Sequence, residues 1–384
     1  VDGPAGKYPT LQVHPGRRCN LQCLHCYSDS GPTVSERLDI DLLRGVVADA
    51  AAIGYRVLSV SGGEPLLYPA LGELLRASHA AGLATTVTTN GMLLDRRQLD
   101  ILGADCDLIA ISLDGVPDSH NFMRNSPRAF DKMCARLQGL RASGIPFGFI
   151  FTLTFHNVHE LDWVAQFAVE QGAKLLQLHP LEPVGRATRT LDGSLPDGEE
   201  NAAALFEAAR IRELYKAVID VQIDLATIPA LLDHPTRVFV RDSTVCGEQT
   251  VADVVAPLVI ESSGWVSPLQ YGFPRAWSWG NIRQARLPEL AASWLSRDYT
   301  AFLSLCRSVY EQLVTNDDEP VLNWYQHVFA AATRFSPPQA REMMMPRCAD
   351  VMFDRRKGVD SVGIRRAGKG ALAPCPRTNI AGTA

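Results

Sequence analysis

The stretch RRCNLQCLHCY (residues 17–27) places Cys19, Cys23 and Cys26 within eight positions, and no other cysteine follows until Cys106. Three thiolates at this spacing suit zinc or an iron–sulfur cubane, since both prefer soft sulfur ligands. A closed structural zinc site takes four ligands, and no second CxxC or CxxH pair stands elsewhere in the chain to complete one. From residue types alone, zinc completed by His25 or His14 remains open beside a cubane with one iron left without a protein ligand. Further groups with chemical potential recur downstream: SGGEP (61–65), TTNG (88–91), SLDG (112–115) and TFHN (154–157).

These motifs need a scaffold that brings them together. Candidate strands lie at 11–16, 55–63, 84–91, 106–115, 146–155 and 173–181, each rich in β-branched or aromatic residues and mostly apolar throughout, as strands covered on both faces are. Amphipathic helices alternate with them. Leu42, Leu43, Val46, Val47 and Ala50 form one stripe that Gly54 stops. Phe130, Met133, Cys134, Leu137 and Leu140 form another, with Ser126 expected as its cap and Pro127 at its first position. Leu161, Val164, Ala165 and Ala168 line a third. Six β-α repeats imply a parallel sheet with helices outside, either an open doubly wound sheet or a partial barrel. In both, the ligand site lies at the C-terminal strand ends, where the polar and glycine-rich motifs fall.

The spacing Cys-x3-Cys-x2-Cys after the first strand, followed by SGGEP, TTNG and SLDG after the next three, resembles the radical S-adenosylmethionine (SAM) superfamily over about residues 9–185. His25 stands where an aromatic residue usually precedes the third cysteine. The resemblance implies an α/β fold, a partial (β/α)6 TIM-like barrel over 11–219, in which Cys19, Cys23 and Cys26 bind a [4Fe–4S] cluster and SAM chelates the fourth iron. One electron then cleaves SAM to a 5′-deoxyadenosyl radical that takes a hydrogen atom from substrate. It also implies an external electron donor such as flavodoxin or ferredoxin.

Roles at the matching positions follow from chemistry. Gly62 and Gly63 would let backbone approach the methionyl group, and Glu64 would meet its ammonium. Thr88, Asn90, Ser112 and Asp114 offer groups for the ribose and carboxylate, and Tyr27 is expected near the adenine. Arg124 is expected on the SAM carboxylate, because a guanidinium binds carboxylates in bidentate fashion. His156 and His179 sit near strand ends but read as packed residues. No catalytic residue is assigned.

Beyond the polar loop 185–201, LVIESSGWVSPL reads as a β-hairpin turning at 262–264, followed by helical regions at about 286–316 and 321–334. The run from Cys246 through WGNI resembles the start of the SPASM or twitch extension, which makes 220–350 a smaller C-terminal SPASM/twitch-like α+β domain. Such extensions carry cysteines for auxiliary clusters. Here Cys246 matches the first ligand, Leu269 occupies the second place and no later CxxC exists, which implies that the auxiliary cluster is lost and the fold kept. The opposing reading gathers Cys246, Cys306, Cys348 and Cys375 into a rearranged cluster. Residues 351–384 form a basic tail with few large apolar groups, expected to be flexible.

The 384 residues are 46% hydrophobic and 21% charged with net charge −5, which gives no global field for nucleic acid or acidic membranes. No run approaches the roughly 18 apolar residues of a membrane span, and the opening ten residues, 1–10, lack a signal segment. A reduced, cytoplasmic protein is expected. The short N-terminal extension leaves no room, on this reading, for a leader-peptide recognition domain. A peptide would therefore be captured by the second domain, a separate partner or the tail. Peptide modification in natural-product maturation is the leading expectation. A dehydrogenase or epimerase of a small-molecule metabolite is the alternative, and a non-catalytic iron–sulfur electron carrier or metal-stabilised binding module is the reading from another class.

Overall fold

A computed structural model describes residues 8–240, 250–315, 319–335 and 337. Cys246, Cys348, Cys375 and the basic tail lie outside the described residues. The elements in order are β1 (Thr10–Val13), α1 (Ile40–Ala52), β2 (Val57–Val60), α2 (Leu71–Ala80), β3 (Ala84–Thr89), α3 (Arg96–Leu102), β4 (Leu108–Ser112), α4 (Pro117–Met123), α5 (Ala129–Ser143), β5 (Phe147–Leu153), α6 (Leu161–Glu170) and β6 (Leu175–Pro180). Next come α7 (Ala187–Thr190), α8 (Gly198–Tyr215), β7 (Asp220–Ile223), β8 (Ala226–Thr227), α9 (Ile228–Asp233), α10 (Val251–Val254), β9 (Leu258–Ile260), β10 (Trp265–Pro268) and β11 (Gly280–Asn281). The last are α11 (Leu287–Arg297), α12 (Tyr299–Val314), β12 (Val321–Leu322) and α13 (Trp324–Arg334).

One sheet of ten strands runs β11-β10-β9-β1-β2-β3-β4-β5-β6-β7, and β1 to β7 are parallel throughout. Consecutive parallel strands joined by helices are the α/β arrangement expected from the repeat. One face is apolar: Leu11, Val13, Leu58, Val60, Val87, Ile111, Phe149, Phe151, Leu176 and Leu178 are fully buried in one core with helix residues such as Leu43, Val47, Met133 and Val164. Because side chains alternate along a strand, the other face carries Gln12, Ser59, Thr86, Thr88, Ser112, Thr152, Gln177 and His179. Register places Gln12 beside Ser59, Ser59 beside Thr86, and Thr152 beside His179, so polar side chains run in rows across that face.

Four expectations differ from the structure. The parallel series has a seventh strand, β7, paired with β6 on the far side of the expected boundary at residue 219. The hairpin β9–β10 is antiparallel as expected, yet β9 also pairs in parallel with β1, with Leu11 beside Leu258, so the C-terminal region continues the same sheet. Ser126 does not cap α5: its carbonyl accepts the Ala129 N–H at 3.3 Å in a turn, and Arg128 is the residue before the helix. The helical region at 286–316 is two helices, α11 and α12, with Asp298 between them.

The C-terminal region is held by aromatic packing. Trp279 stacks on Trp294 at 5.2 Å, while the indole N–H groups of Trp277 and Trp294 donate to the carbonyls of Ala332 and Trp277 at 3.1 and 3.2 Å. Tyr55 joins it to the barrel by donating to the Val255 carbonyl at 2.7 Å, as does the ion pair of Arg286 with Asp49.

Candidate radical SAM site

The loop after β1 carries the three cysteines and is clamped from two sides. On one side lies the double glycine after β2. The Gly63 N–H donates to Gly16 O and the Glu64 N–H to Arg18 O, each at 2.9 Å. A Cβ on Gly63 would stand 2.3 Å from Arg18 O, and one on Gly62, which has φ +114°, 2.6 Å from Gly16 O. The glycines are thus required by contact between the cysteine loop and the end of β2, a reason within the chain itself and different from the cofactor approach expected of them.

On the other side lies the segment after β6, read from sequence only as a polar loop. The Arg186 guanidinium donates to Cys23 O and Ser30 O at 2.8 Å each, and its N–H donates to Cys26 O at 2.9 Å. Arg189 pairs with Asp29, and the Thr190 hydroxyl donates to Leu24 O at 2.6 Å. A Cβ on Gly185 would meet Tyr27 O at 2.2 Å. The run GRATR (185–189), a glycine and two arginines a few residues past the end of β6 at Pro180, is the only trace of this clamp in the sequence.

Within the loop, Cys19 and Cys23 are buried beside Leu21, Met92 and Ala129, with Cys26 partly exposed. Each sulfur faces an N–H donor: Leu21 N to Cys19 Sγ at 3.4 Å, Ser30 N to Cys26 Sγ at 3.3 Å and Arg124 Nη1 to Cys23 Sγ at 3.8 Å. Burial pushes the Cys19 thiol up to about 12, with Glu64 adding to the rise, and raises Cys23 likewise. Bound metal deprotonates such thiols outright, and N–H donors around the sulfurs are the environment of a metal thiolate. The residues therefore fit a sulfur-ligated cluster. Among the described residues no group of three or more His, Cys, Asp or Glu, the three cysteines included, is already arranged around a single metal ion.

Glu64 is 3% exposed, and its carboxylate accepts from Thr89 Oγ1 at 2.7 Å, Leu66 N at 3.2 Å and Asn90 N at 3.0 Å. Burial raises its pKa against the opposing effect of these donors. Three donors on four lone-pair sites leave one acceptor direction. Asn90 also braces the cysteine loop through Asn20 at 2.9 Å. Tyr27 donates to or accepts from Ser61 at 2.9 Å, and its ring meets His14 at 5.6 Å and Tyr271 at 5.5 Å. His14 is fully buried and kept neutral by burial, which lowers it to about 3. Tyr271 belongs to the C-terminal region and follows Leu269 closely in the chain, so that region contributes directly to the polar face. Leu269 itself is buried with φ +67°.

Thr88 and Ser112 face the same side from the ends of β3 and β4. Asp114 and Arg124, expected as separate contacts to SAM, are instead joined: Arg124 Nε lies 2.6 Å from Asp114 Oδ2, with both residues buried. His179 is braced between Asp224 at 2.8 Å and Glu182 at 3.4 Å, whereas His156 meets the Ser194 hydroxyl at 3.1 Å and the Phe155 ring edge-on at 5.7 Å. Cys306 is fully buried in the apolar core with Phe302 and Val309.

Residues 13–168 match the family model of the Radical SAM superfamily. This chain carries a radical SAM domain. Proteins of this family use a [4Fe–4S] cluster and SAM. The chain is 28% identical over 212 residues to Fe-coproporphyrin III synthase of Methanosarcina barkeri, covering 55% of this chain and 53% of the relative. It is 34% identical over 193 residues to PqqA peptide cyclase of Ruegeria pomeroyi, covering 49% and 51%. The chain thus spans about half the length of the curated relatives it matches. Among solved structures, anSMEcpe with bound AdoMet superposes with TM-score 0.58 at 19% identity over 85% of this chain and 95% of that one. SuiB of Streptococcus suis bound to precursor peptide SuiA gives 0.58 at 15% identity over 75% and 64%. The chain shares the fold of these two solved proteins, and the likeness reaches well past the radical SAM domain.

Proposed function

We propose that the protein is a radical SAM enzyme that holds a [4Fe–4S] cluster on Cys19, Cys23 and Cys26 and modifies a peptide. When bound, the cluster would supply one electron for reductive cleavage of SAM, the chemistry by which a hydrogen atom is taken from the substrate. Glu64 offers its remaining lone pair to the methionyl ammonium. Thr88 and Ser112 offer hydroxyls for the ribose, Asn90 fixes the loop that carries the first cysteine, and Tyr27 walls the adenine side. The polar face of the sheet, closed at one end by Tyr271, receives the substrate. Flavodoxin or ferredoxin would deliver the electron, and three free thiolate ligands suit a reducing cytoplasm. Among the described residues no helix is long and apolar enough to cross a membrane.

The observation that carries the peptide reading is the fold likeness over most of the chain to anSMEcpe, solved with AdoMet and the Kp18Cys peptide, and to SuiB with SuiA. Incubation of the reconstituted, reduced protein with SAM and peptides encoded beside its gene tests it. The reading expects 5′-deoxyadenosine and a mass change in one peptide. Deoxyadenosine formation with every such peptide unchanged, but with a small metabolite consumed, would overturn it. That second reading has its own support, since the relatives also include an AdoMet-dependent heme synthase, 33% identical over 184 residues, and a GTP 3′,8-cyclase, 40% identical over 128.

A further inference from the structure

Arg124 follows the last turn of α4 and is 7% exposed. Its Nε meets Asp114 Oδ2 at 2.6 Å and its Nη1 reaches Cys23 Sγ at 3.8 Å. Asp114, fully buried, is itself fixed: Thr152 N donates to its Oδ1 at 3.4 Å, Asn157 Nδ2 donates to its carbonyl at 3.1 Å, and its own N–H donates to His120 Nδ1 at 3.2 Å. His25 Nε2 stands 3.9 Å from its Oδ2. The guanidinium is therefore ion-paired through Nε with a fixed carboxylate, and another of its nitrogens reaches a cysteine sulfur.

We propose that Arg124, anchored by Asp114, sets the reduction potential of the cluster through the Cys23 thiolate instead of binding the carboxylate of SAM. The inference rests on the reading that Cys19, Cys23 and Cys26 carry a [4Fe–4S] cluster. Hydrogen bonds to the sulfurs and the net local charge are among the terms that set such a potential. A cation against the thiolate favours the electron-rich, reduced cluster, and charges buried in protein are screened little by salt. Asp114 opposes that effect from the far side of the guanidinium. The pair thus predicts opposite signs for its two members, which loss of packing does not.

The test uses the anaerobically reconstituted full chain, with iron and sulfide content, an electron-spin-resonance redox titration, and equilibrium dialysis of SAM. In Arg124→Gln, the ratio of reduced to oxidised cluster at the wild-type midpoint should fall about tenfold, equivalent to about 59 mV for one electron. Arg124→Lys keeps the charge without the fork, so it should fall less; it decides the matter if Arg124→Gln does not fold. Asp114→Asn should move the potential upward. SAM affinity should stay within about twofold throughout. Variants with full iron and the wild-type potential would overturn the inference. So would both positions shifting the potential in the same direction, or loss of SAM affinity at constant potential. A wild-type protein that binds no iron would overturn the cluster reading and this inference with it, whereas a loaded wild type with unmoved variants overturns this inference alone.

Discussion

Substituting Gly63 by Ala puts a methyl group where the cysteine loop now lies. Its Cβ would stand 2.3 Å from Arg18 O and 2.7 Å from the carbonyl carbons of Arg17 and Arg18. Ordinary carbon–oxygen contact needs roughly 3.4 Å or more, so the loop must retreat by about 1 Å. The obstacle is backbone, which no rotamer change relieves. Retreat of that size breaks the bonds from Gly63 N to Gly16 O and from Glu64 N to Arg18 O, both 2.9 Å. At about 1 kcal/mol each, with strain of similar size, the cost is roughly 2–4 kcal/mol. Since residues 16–18 immediately precede Cys19, the same movement disturbs the first cluster ligand. Two assays read the two consequences: thermal unfolding of the apoprotein, expected at lower temperature, and iron retained per chain after anaerobic reconstitution and desalting, expected to fall well below wild type. Full iron retention and an unchanged unfolding temperature would refute the contact as the reason for this glycine.

Removing the second clamp should loosen the same loop from its other side. Arg186→Ala loses two bonds at 2.8 Å to Cys23 O and Ser30 O, so hydrogen exchange of the amides between residues 23 and 30 should quicken in the apoprotein while β3 and β4 stay protected. Equal protection in both proteins would contradict the clamp. His179 supplies a pH signature. Burial lowers its pKa, but the carboxylates of Asp224 and Glu182 outweigh that and lift it from 6.5 to about 10. A raised folded-state value means stabilisation that is complete below pH 6.5 and is lost as pH rises towards 10. Urea unfolding should therefore show stability falling across that window, and Asp224→Asn should flatten the fall. A wild-type curve already flat there would contradict the pairing.

The strand ends were the most legible feature of the molecule. Apolar runs fix where β1 to β6 lie, and the glycines and polar residues behind them fix where the chain turns, though each observed strand is shorter because its last residues already belong to the site, as Ser61 does through Tyr27. Strand β7 was hidden because DVQI is four residues long, with only Val221 and Ile223 apolar and the alternate side chains Asp220 and Gln222 exposed. The pairing of β9 with β1 joins residues some 250 positions apart, between Leu11 and Leu258, and no local pattern encodes such a register. For the site, the three cysteines and the double glycine announced themselves by spacing. Arg124 was singled out for its charge, but its partner depends on the approach of α4 to the end of β4, which the sequence does not display. Arg186 was overlooked because GRATR shows its charge but not its partners, which are backbone carbonyls that leave no trace in residue type.

The proposed cluster is ligated by Cys19, Cys23 and Cys26 and leaves one iron open to SAM. Electron spin resonance of the anaerobically reconstituted, reduced protein, recorded before and after SAM is added, measures this most directly. The expected result is the signal of a reduced [4Fe–4S] cluster, altered in g values by SAM and abolished in a Cys19→Ala, Cys23→Ala, Cys26→Ala variant. A signal that SAM leaves unchanged, or one that survives in the triple variant, would contradict it.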